Sequence, residues 1–292
     1  MARAAVEKGG EGAAERTPSL LGQCLSEFIG TLILVFFGVG SVNAAVATGA
    51  QQGLWQVAVV WGIGIALAIY AVGAVSGAHI NPAITIAMAI WRRFPRGKVA
   101  PYILAQLAGA ICGSLILYAL FHGVIAHFEA VKGIIRGGPG SELSAMMFGE
   151  YFPNPALFGT TPEAYAQVSM GTAMLGEGIG TALLACFVFA LTEKRNPVTP
   201  RSLTPLFVGL SVSIIISIVA PLTQAGLNPA RDLGPRLVSY LFGWGSVAIP
   251  GARGGFFTVY ILSPIIGAIA GSGIYQGLIR RHLAAGAAHI ED

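Results

Sequence analysis

Ser76-Gly77-Ala78-His79-Ile80-Asn81-Pro82-Ala83 and Gly226-Leu227-Asn228-Pro229-Ala230-Arg231-Asp232 each carry an Asn-Pro-Ala triplet. Asn is a favoured helix N-cap and Pro is favoured at the first helical position, so each triplet predicts a helix starting at its proline. Neither helix has room to be long. The apolar run before the first triplet ends near Val75, and a basic cluster begins at Arg92. From Pro82 to Trp91 a helix would measure about 15 Å, roughly half the hydrocarbon thickness of a bilayer. Residues 76–91 are therefore expected to dip into a membrane and return. The second triplet predicts the same for Pro229 to about Phe242, entering from the opposite side. A single Asn-Pro would mark only a loop turn; two at equivalent places of a repeat mark two half-helices.

That repeat is legible around them. Ser26-Glu27-Phe28-Ile29-Gly30-Thr31 opens the first half and Gly176-Glu177-Gly178-Ile179-Gly180-Thr181 the second. Two apolar runs follow each opening, then the triplet, then a third run carrying Gly109-Ala110-Ile111 or Gly267-Ala268-Ile269. Three spans per half is an odd number, so the second half must sit upside down relative to the first. Inverted repeats of this kind put their functional site near the midplane on interrupted helices.

Composition supports a membrane fold. The chain of 292 residues is 54% hydrophobic and 10% charged, with a mean hydropathy of +0.72. A soluble domain would carry about 25% charged residues. Long apolar runs at Leu25–Val42, Val57–Val75, Ile103–Phe121, Ile179–Leu191, Leu206–Pro221 and Phe256–Ile269 read as six spans. The fold class expected is an all-α membrane protein: six transmembrane helices plus two re-entrant half-helices in an inverted repeat. Gly109/Gly113 and Gly267/Gly271 have the spacing that lets membrane helices approach closely. Most of the 17 basic residues fall on one side of an even-span topology: Arg3, Lys8 and Arg16, then Arg92 to Lys98, Lys194 to Arg201, and Arg280 with Arg281. The positive-inside rule then predicts both termini cytoplasmic. This distribution explains the net charge of +4 without nucleic acid. The first twenty residues lack an apolar signal core and read as a disordered cytoplasmic tail.

The half-helices have a chemistry. Their positive ends meet at the bilayer centre. If each Asn Oδ1 caps its helix, the side-chain NH₂ of Asn81 and Asn228 is left as a donor toward a lumen. The irregular stretches Gly77-Ala78-His79-Ile80 and Gln224-Ala225-Gly226-Leu227 are tolerated at that depth where they line a cavity, so their carbonyls form an acceptor rail. Such a lining suits neutral, hydroxyl-bearing solutes, and the central positive field opposes cations, protons included. Arg231 opposes its own helix dipole, and its repeat counterpart is Ile84, so the fold does not require the charge; it is assigned to the external mouth, where it donates to solute oxygens and repels cations. The bland alternative pairs it with Asp232. Glu27 and Glu177 are expected to accept hydrogen bonds from the re-entrant backbone; the alternative makes them coupling-ion carboxylates of a transporter. His79 is expected to be a hydrogen-bonded structural imidazole. Trp55, Trp91 and Trp244 fit a membrane interface, and Trp61 an apolar pore wall. No catalytic constellation, phosphate loop or metal-ligand cluster is present, so no catalytic residue, metal or cofactor is expected.

The two quoted segments resemble the paired signature of the major intrinsic protein family, and the resemblance covers roughly residues 20–283. Asp232 directly after Arg231, and Tyr151-Phe152-Pro153-Asn154-Pro155, are similar to its glycerol-facilitator branch. The resemblance implies an aquaporin-like fold and an aquaglyceroporin. That would be a homotetramer in the lipid of the cell membrane, with one pore per subunit, passing glycerol, other small neutral solutes and some water. It implies a channel domain at 21–283 with repeats about 21–122 and 168–283, an external loop 123–167 and a cytoplasmic tail 284–292. The family's constriction carries over to Trp61, Ile216, Ala225 and Arg231, with Asp232 in support. Glycerol facilitators typically have Gly and Phe where Ile216 and Ala225 stand. The set here is more similar to the filter of the plant nodulin-like branch. A water- or metalloid-selective channel with little glycerol flux, and a secondary transporter, stand as alternatives.

Overall fold

The computed structural model describes residues 17–283; residues 1–16 of the expected N-terminal tail and all of 284–292 lie outside them. Among the described residues the structure is helical, without strands. Among them six helices are long and apolar enough to cross a membrane: Leu20–Thr48, Leu54–Ser76, Arg96–Lys132, Met170–Leu191, Arg201–Thr223 and Phe257–His282. They are called the first to sixth spans below. Their boundaries follow local chemistry. Ser19 caps the first span by accepting the Gly22 N–H at 3.1 Å, and Ser169 caps the fourth through Thr172. Gly49, Gly77 and Gly133 end the first three spans with φ of 69°, 85° and 65°, a backbone state that favours glycine.

Packing repeats the symmetry of the sequence. The first span lies against the third, the fourth against the sixth, and the second against the fifth. A Cβ on Gly109 would overlap the Phe28 carbonyl, and one on Gly267 the Gly178 carbonyl, so the same contact is made twice. Gly62 and Gly209 make the corresponding close approach between the second and fifth spans. Dispersion between closely placed backbones is what holds helices together where lipid is as apolar as the side chains. The outer faces carry large apolar groups such as Leu21, Leu104 and Ile218, whereas Glu27, Gln106, Glu177, Asp232 and Arg236 are buried inside. This inverts the arrangement of a soluble protein.

Two short helices interrupt the spans. Pro82–Trp91 and Pro229–Ser239 each begin at an Asn N-cap. The long connection after the third span differs from its expected extent. Helix continues through the predicted loop start, Gly123 included, to Lys132, with Ile125 and Glu129 buried on its inner face, and ends where Gly133 turns left-handed. Beyond it the chain makes short helical turns at Glu142–Ala145, Pro155–Phe158 and Pro162–Gln167. Trp244 is also placed differently from the interface position expected of it. It is fully buried, its indole N–H donates to Ser144 Oγ at 2.9 Å, and the Arg136 guanidinium lies 4.1 Å from its ring. Trp55 and Trp91 are exposed.

Candidate functional site: two half-helices and a constriction

Asn81 Oδ1 accepts the Ala83 N–H at 2.9 Å; Asn228 Oδ1 accepts those of Ala230 at 3.0 Å and Arg231 at 3.3 Å. The free amide groups are not simply left facing a lumen. Asn81 Nδ2 donates to the Leu227 carbonyl at 3.0 Å, and Asn228 Nδ2 to the Ile80 carbonyl at 2.8 Å. Each Asn thus spends one amide hydrogen on a crosswise latch to the opposite loop and keeps one. The two half-helix starts are thereby locked tip to tip. Two positive helix ends at that separation repel, and the latch opposes the repulsion.

The loops leading into the caps are strained in a matching pattern. Ala78 and Ile80 have φ of 48° and 40°; Gln224, Ala225 and Leu227 have 63°, 63° and 55°. A non-glycine residue in this region costs roughly 1–2 kcal/mol. The buried carboxylates offset it. Glu27 accepts the N–H groups of His79 at 2.9 Å and Ile80 at 2.7 Å, and the Gln106 amide at 2.7 Å. Glu177 accepts Gly226 at 2.9 Å, Leu227 at 2.7 Å and the Thr223 hydroxyl at 2.6 Å. A hydrogen bond to a charged acceptor contributes about 1.5–3 kcal/mol, so two per loop match the strain. Both oxygens of each carboxylate are engaged, which leaves a coupling ion little to bind. His79 Nδ1 lies 3.2 Å from Thr85 Oγ1, with the ring against Phe94.

Two cavities meet beside this latch. One, of about 110 Å³, runs past His79, Asn81, Gly226 and Asn228 toward Val188 and Thr192 on the basic face. The other, of about 550 Å³, opens among Val46, Gln51, Phe128 and Leu157 on the opposite face. The residues lining both are Trp61, Ile216 and Arg231. Ala225 lines the smaller cavity and Gln224 the larger. Gly77, Ala78, Ile80 and Leu227 also line the smaller one. The four positions carried over by resemblance are therefore brought together where the cavities join. Trp61 fits because Gly38 has no Cβ; one there would overlap the indole.

Arg231 is 3% exposed. Its Nη1 donates to the Phe148 carbonyl at 3.0 Å, its Nη2 ion-pairs with Glu150, and its guanidinium lies 4.5 Å from the Trp61 ring. It does not pair with Asp232. That carboxylate takes Arg236 instead, with Nε and Nη2 both at 2.8 Å, and accepts the Glu150 N–H at 2.8 Å. Glu150 was not singled out in the sequence. The available signal was that an intramembrane Arg needs a partner, and Glu150 is one of several carboxylates in the long connection. Burial pushes its carboxyl above the ordinary range, against the pull of Arg231. On the basic face, burial raises Glu193, but the Arg195 N–H, Arg280 and Arg92 outweigh it and hold the carboxyl below its usual value. Among the described residues no cluster of three or more His, Cys, Asp or Glu could hold a metal.

Comparison with known proteins adds the following. The family model "Major intrinsic protein" matches residues 14–275. The chain is 44% identical to the glycerol uptake facilitator protein of Pseudomonas aeruginosa, over 95% of this chain and 96% of that one. It is 42% identical to the glycerol uptake facilitator protein of Escherichia coli K12, over 92% of each. The propanediol uptake facilitator of Citrobacter freundii is 42% identical over 91% of this chain and 94% of its own length. Among solved structures, the aquaglyceroporin from Plasmodium falciparum superposes with a TM-score of 0.75 at 25% identity, covering 89% of this chain and 97% of that one.

Proposed function

The chain belongs to the major intrinsic protein family, a multi-pass membrane protein and not an enzyme, and we propose that it is a passive channel for glycerol. Other small uncharged solutes and some water share the path, and ions and protons are excluded. The observation that carries the reading is the junction of the two cavities at Trp61, Ile216 and Arg231, directly outside the latched half-helices. A polyol has hydroxyls on one edge and carbon on the other. Arg231 donates to its oxygens, while Trp61 and Ile216 wall the carbon edge; Ala225 leaves the fourth side open. Further in, the spare amide hydrogens of Asn81 and Asn228 donate to the next oxygen, and the backbone of the 77–80 and 224–227 loops supplies acceptors. A solute that exchanges its water hydrogen bonds one by one for these meets no large barrier.

Cations fail at the same place. Two half-helix N-termini, each worth about half a positive charge, face the narrow centre, and a hydrated cation would have to shed water there against that field. Glu27, Glu177 and Asp232 act as supports behind the pore. The protein sits in the cell membrane with both termini cytoplasmic, which the basic loops support, and assembles as a homotetramer in lipid with one pore per subunit. The test is swelling of cells expressing the protein in isosmotic glycerol, beside an interior pH dye. Swelling far above control cells with no proton leak is expected. A protein present at the membrane that gives no swelling contradicts the glycerol reading, and a proton current contradicts the exclusion mechanism.

A further inference from the structure

Of the described residues that line both cavities, Arg231 is the charged one, and its behaviour depends on what holds it. A guanidinium has five N–H donors and no acceptor, and it stays charged in proteins. Alone at membrane depth it would be costly. It would also be free to swing on its long side chain, narrowing the passage and gripping any oxygen that came by. Three contacts restrain it: the Phe148 carbonyl, the Trp61 face and the Glu150 carboxylate. The first two leave its charge uncompensated.

Glu150 is 1% exposed and lines the larger cavity. Apart from its ion pair with Arg231, neither carboxylate oxygen has a hydrogen-bond partner among the described residues. Other buried carboxylates nearby have fixed duties: Asp232 takes Arg236 and the Glu150 N–H, and Glu177 takes the 226–227 backbone. Among the described residues the Glu150 side chain, by contrast, makes its one ion pair with Arg231 and ties down no backbone group of the fold. The Glu150 backbone is pinned on both sides. The N–H donates to Asp232 and the carbonyl accepts from Arg236. The side chain is therefore delivered to Arg231 from a fixed base.

We propose that Glu150 is a positioning and specificity-determining residue of the constriction: paired with Arg231, it holds the guanidinium in one orientation, so that Arg231 offers passing solutes a fixed donor edge. The inference rests on the channel reading and refines it. Arg231 then acts at the mouth as an oriented hydrogen-bond donor. A released Arg231 would bind solute oxygens more tightly and in more ways. It would slow every permeant, and the bulkier glycerol more than water.

The experiment compares wild type, Glu150→Gln and Glu150→Asp in vesicles, measuring glycerol and water permeability at several temperatures. Two readouts are independent of how many copies fold: the glycerol-to-water ratio and the temperature dependence of glycerol entry. Glu150→Gln keeps the shape and removes the charge. Its ratio should fall by roughly tenfold, the effect expected from losing one charge-assisted hydrogen bond, and its temperature dependence should steepen. Glu150→Asp keeps a carboxylate that the flexible arginine can meet, so it should recover most of the ratio. A Glu150→Gln protein with the wild-type ratio and temperature dependence overturns the proposal, as does a Glu150→Asp protein no better than Glu150→Gln. Wild-type glycerol flux is the separate test of the channel reading; Glu150 is judged only on the difference between variants.

Discussion

Replacing Asp232 by Asn would test what pins the external mouth. The swap is nearly isosteric, so it isolates charge from packing. Asp232 is fully buried and Arg236 1% exposed, joined through two hydrogen bonds of 2.8 Å. Asn Oδ1 can still accept the Glu150 N–H, but its amide hydrogens would face the guanidinium. Removing one partner of a buried pair costs about 3–5 kcal/mol. The lower end applies here, because Arg236 also donates to the carbonyls of Glu150 and Ala248, and the Glu150 carboxylate is near enough to compensate part of its charge. Adding Arg236→Met should recover only part of the loss. An apolar pair removes the stranded charge, yet leaves two buried carbonyls without donors at about 1–3 kcal/mol each. The assay is thermal unfolding of purified protein in detergent, followed by tryptophan fluorescence and checked by size exclusion. A much lower midpoint for Asp232→Asn and an intermediate one for the double variant are expected. A midpoint equal to wild type for Asp232→Asn would refute the reasoning, since Arg236 would then need no counter-charge.

Three further outcomes follow from the same geometry. Ile216→Gly removes a wall of the constriction and should speed glycerol entry several-fold, roughly the effect of about 1 kcal/mol on a barrier; unchanged or slower flux in folded protein would count against the placement of the constriction. Gly267→Leu sets a side chain into the Gly178 carbonyl, and loss of folded protein from the membrane fraction is expected, whereas normal yield would mean that the fourth and sixth spans do not need this approach. Glu193 is held below its ordinary value of 4.5 by Arg280, Arg92 and the Arg195 N–H, after burial is outweighed. It therefore contributes stability above that value, which is lost as pH falls through its lowered one; Glu193→Gln should reduce the neutral-pH midpoint and flatten its acid dependence, and an unaltered acid dependence would show that the cluster is not coupled to folding.

Much of this was legible in the chain because the features break local rules. Asn-Pro twice in a repeat, an Arg at the wrong end of a helix dipole and two carboxylates within apolar runs each demand an explanation at the level of sequence. Interactions between distant segments were not legible. Nothing near Asn228 indicates that its amide would reach the Ile80 carbonyl, since only the meeting of the half-helices brings these groups to 2.8 Å. Arg231 was read with its neighbour Asp232 as the alternative partner; the fold instead delivers Glu150 from the long connection and gives Asp232 to Arg236. Trp244 was read from its type as an interface residue, and the connection that covers it and supplies Ser144 has no periodicity that would announce this. The third span overran its expected end for a simpler reason: polarity rose at His122, but Gly123 stays helical and the backbone turns left-handed only at Gly133.

The most direct test of the whole account is stopped-flow light scattering on purified protein in vesicles under a glycerol gradient at several temperatures. Fast glycerol entry with a weak temperature dependence, beyond that of empty vesicles, is the predicted result. Fast water equilibration with glycerol entry no faster than in empty vesicles would mean that Ile216 closes the constriction to polyols, and the glycerol assignment would be wrong.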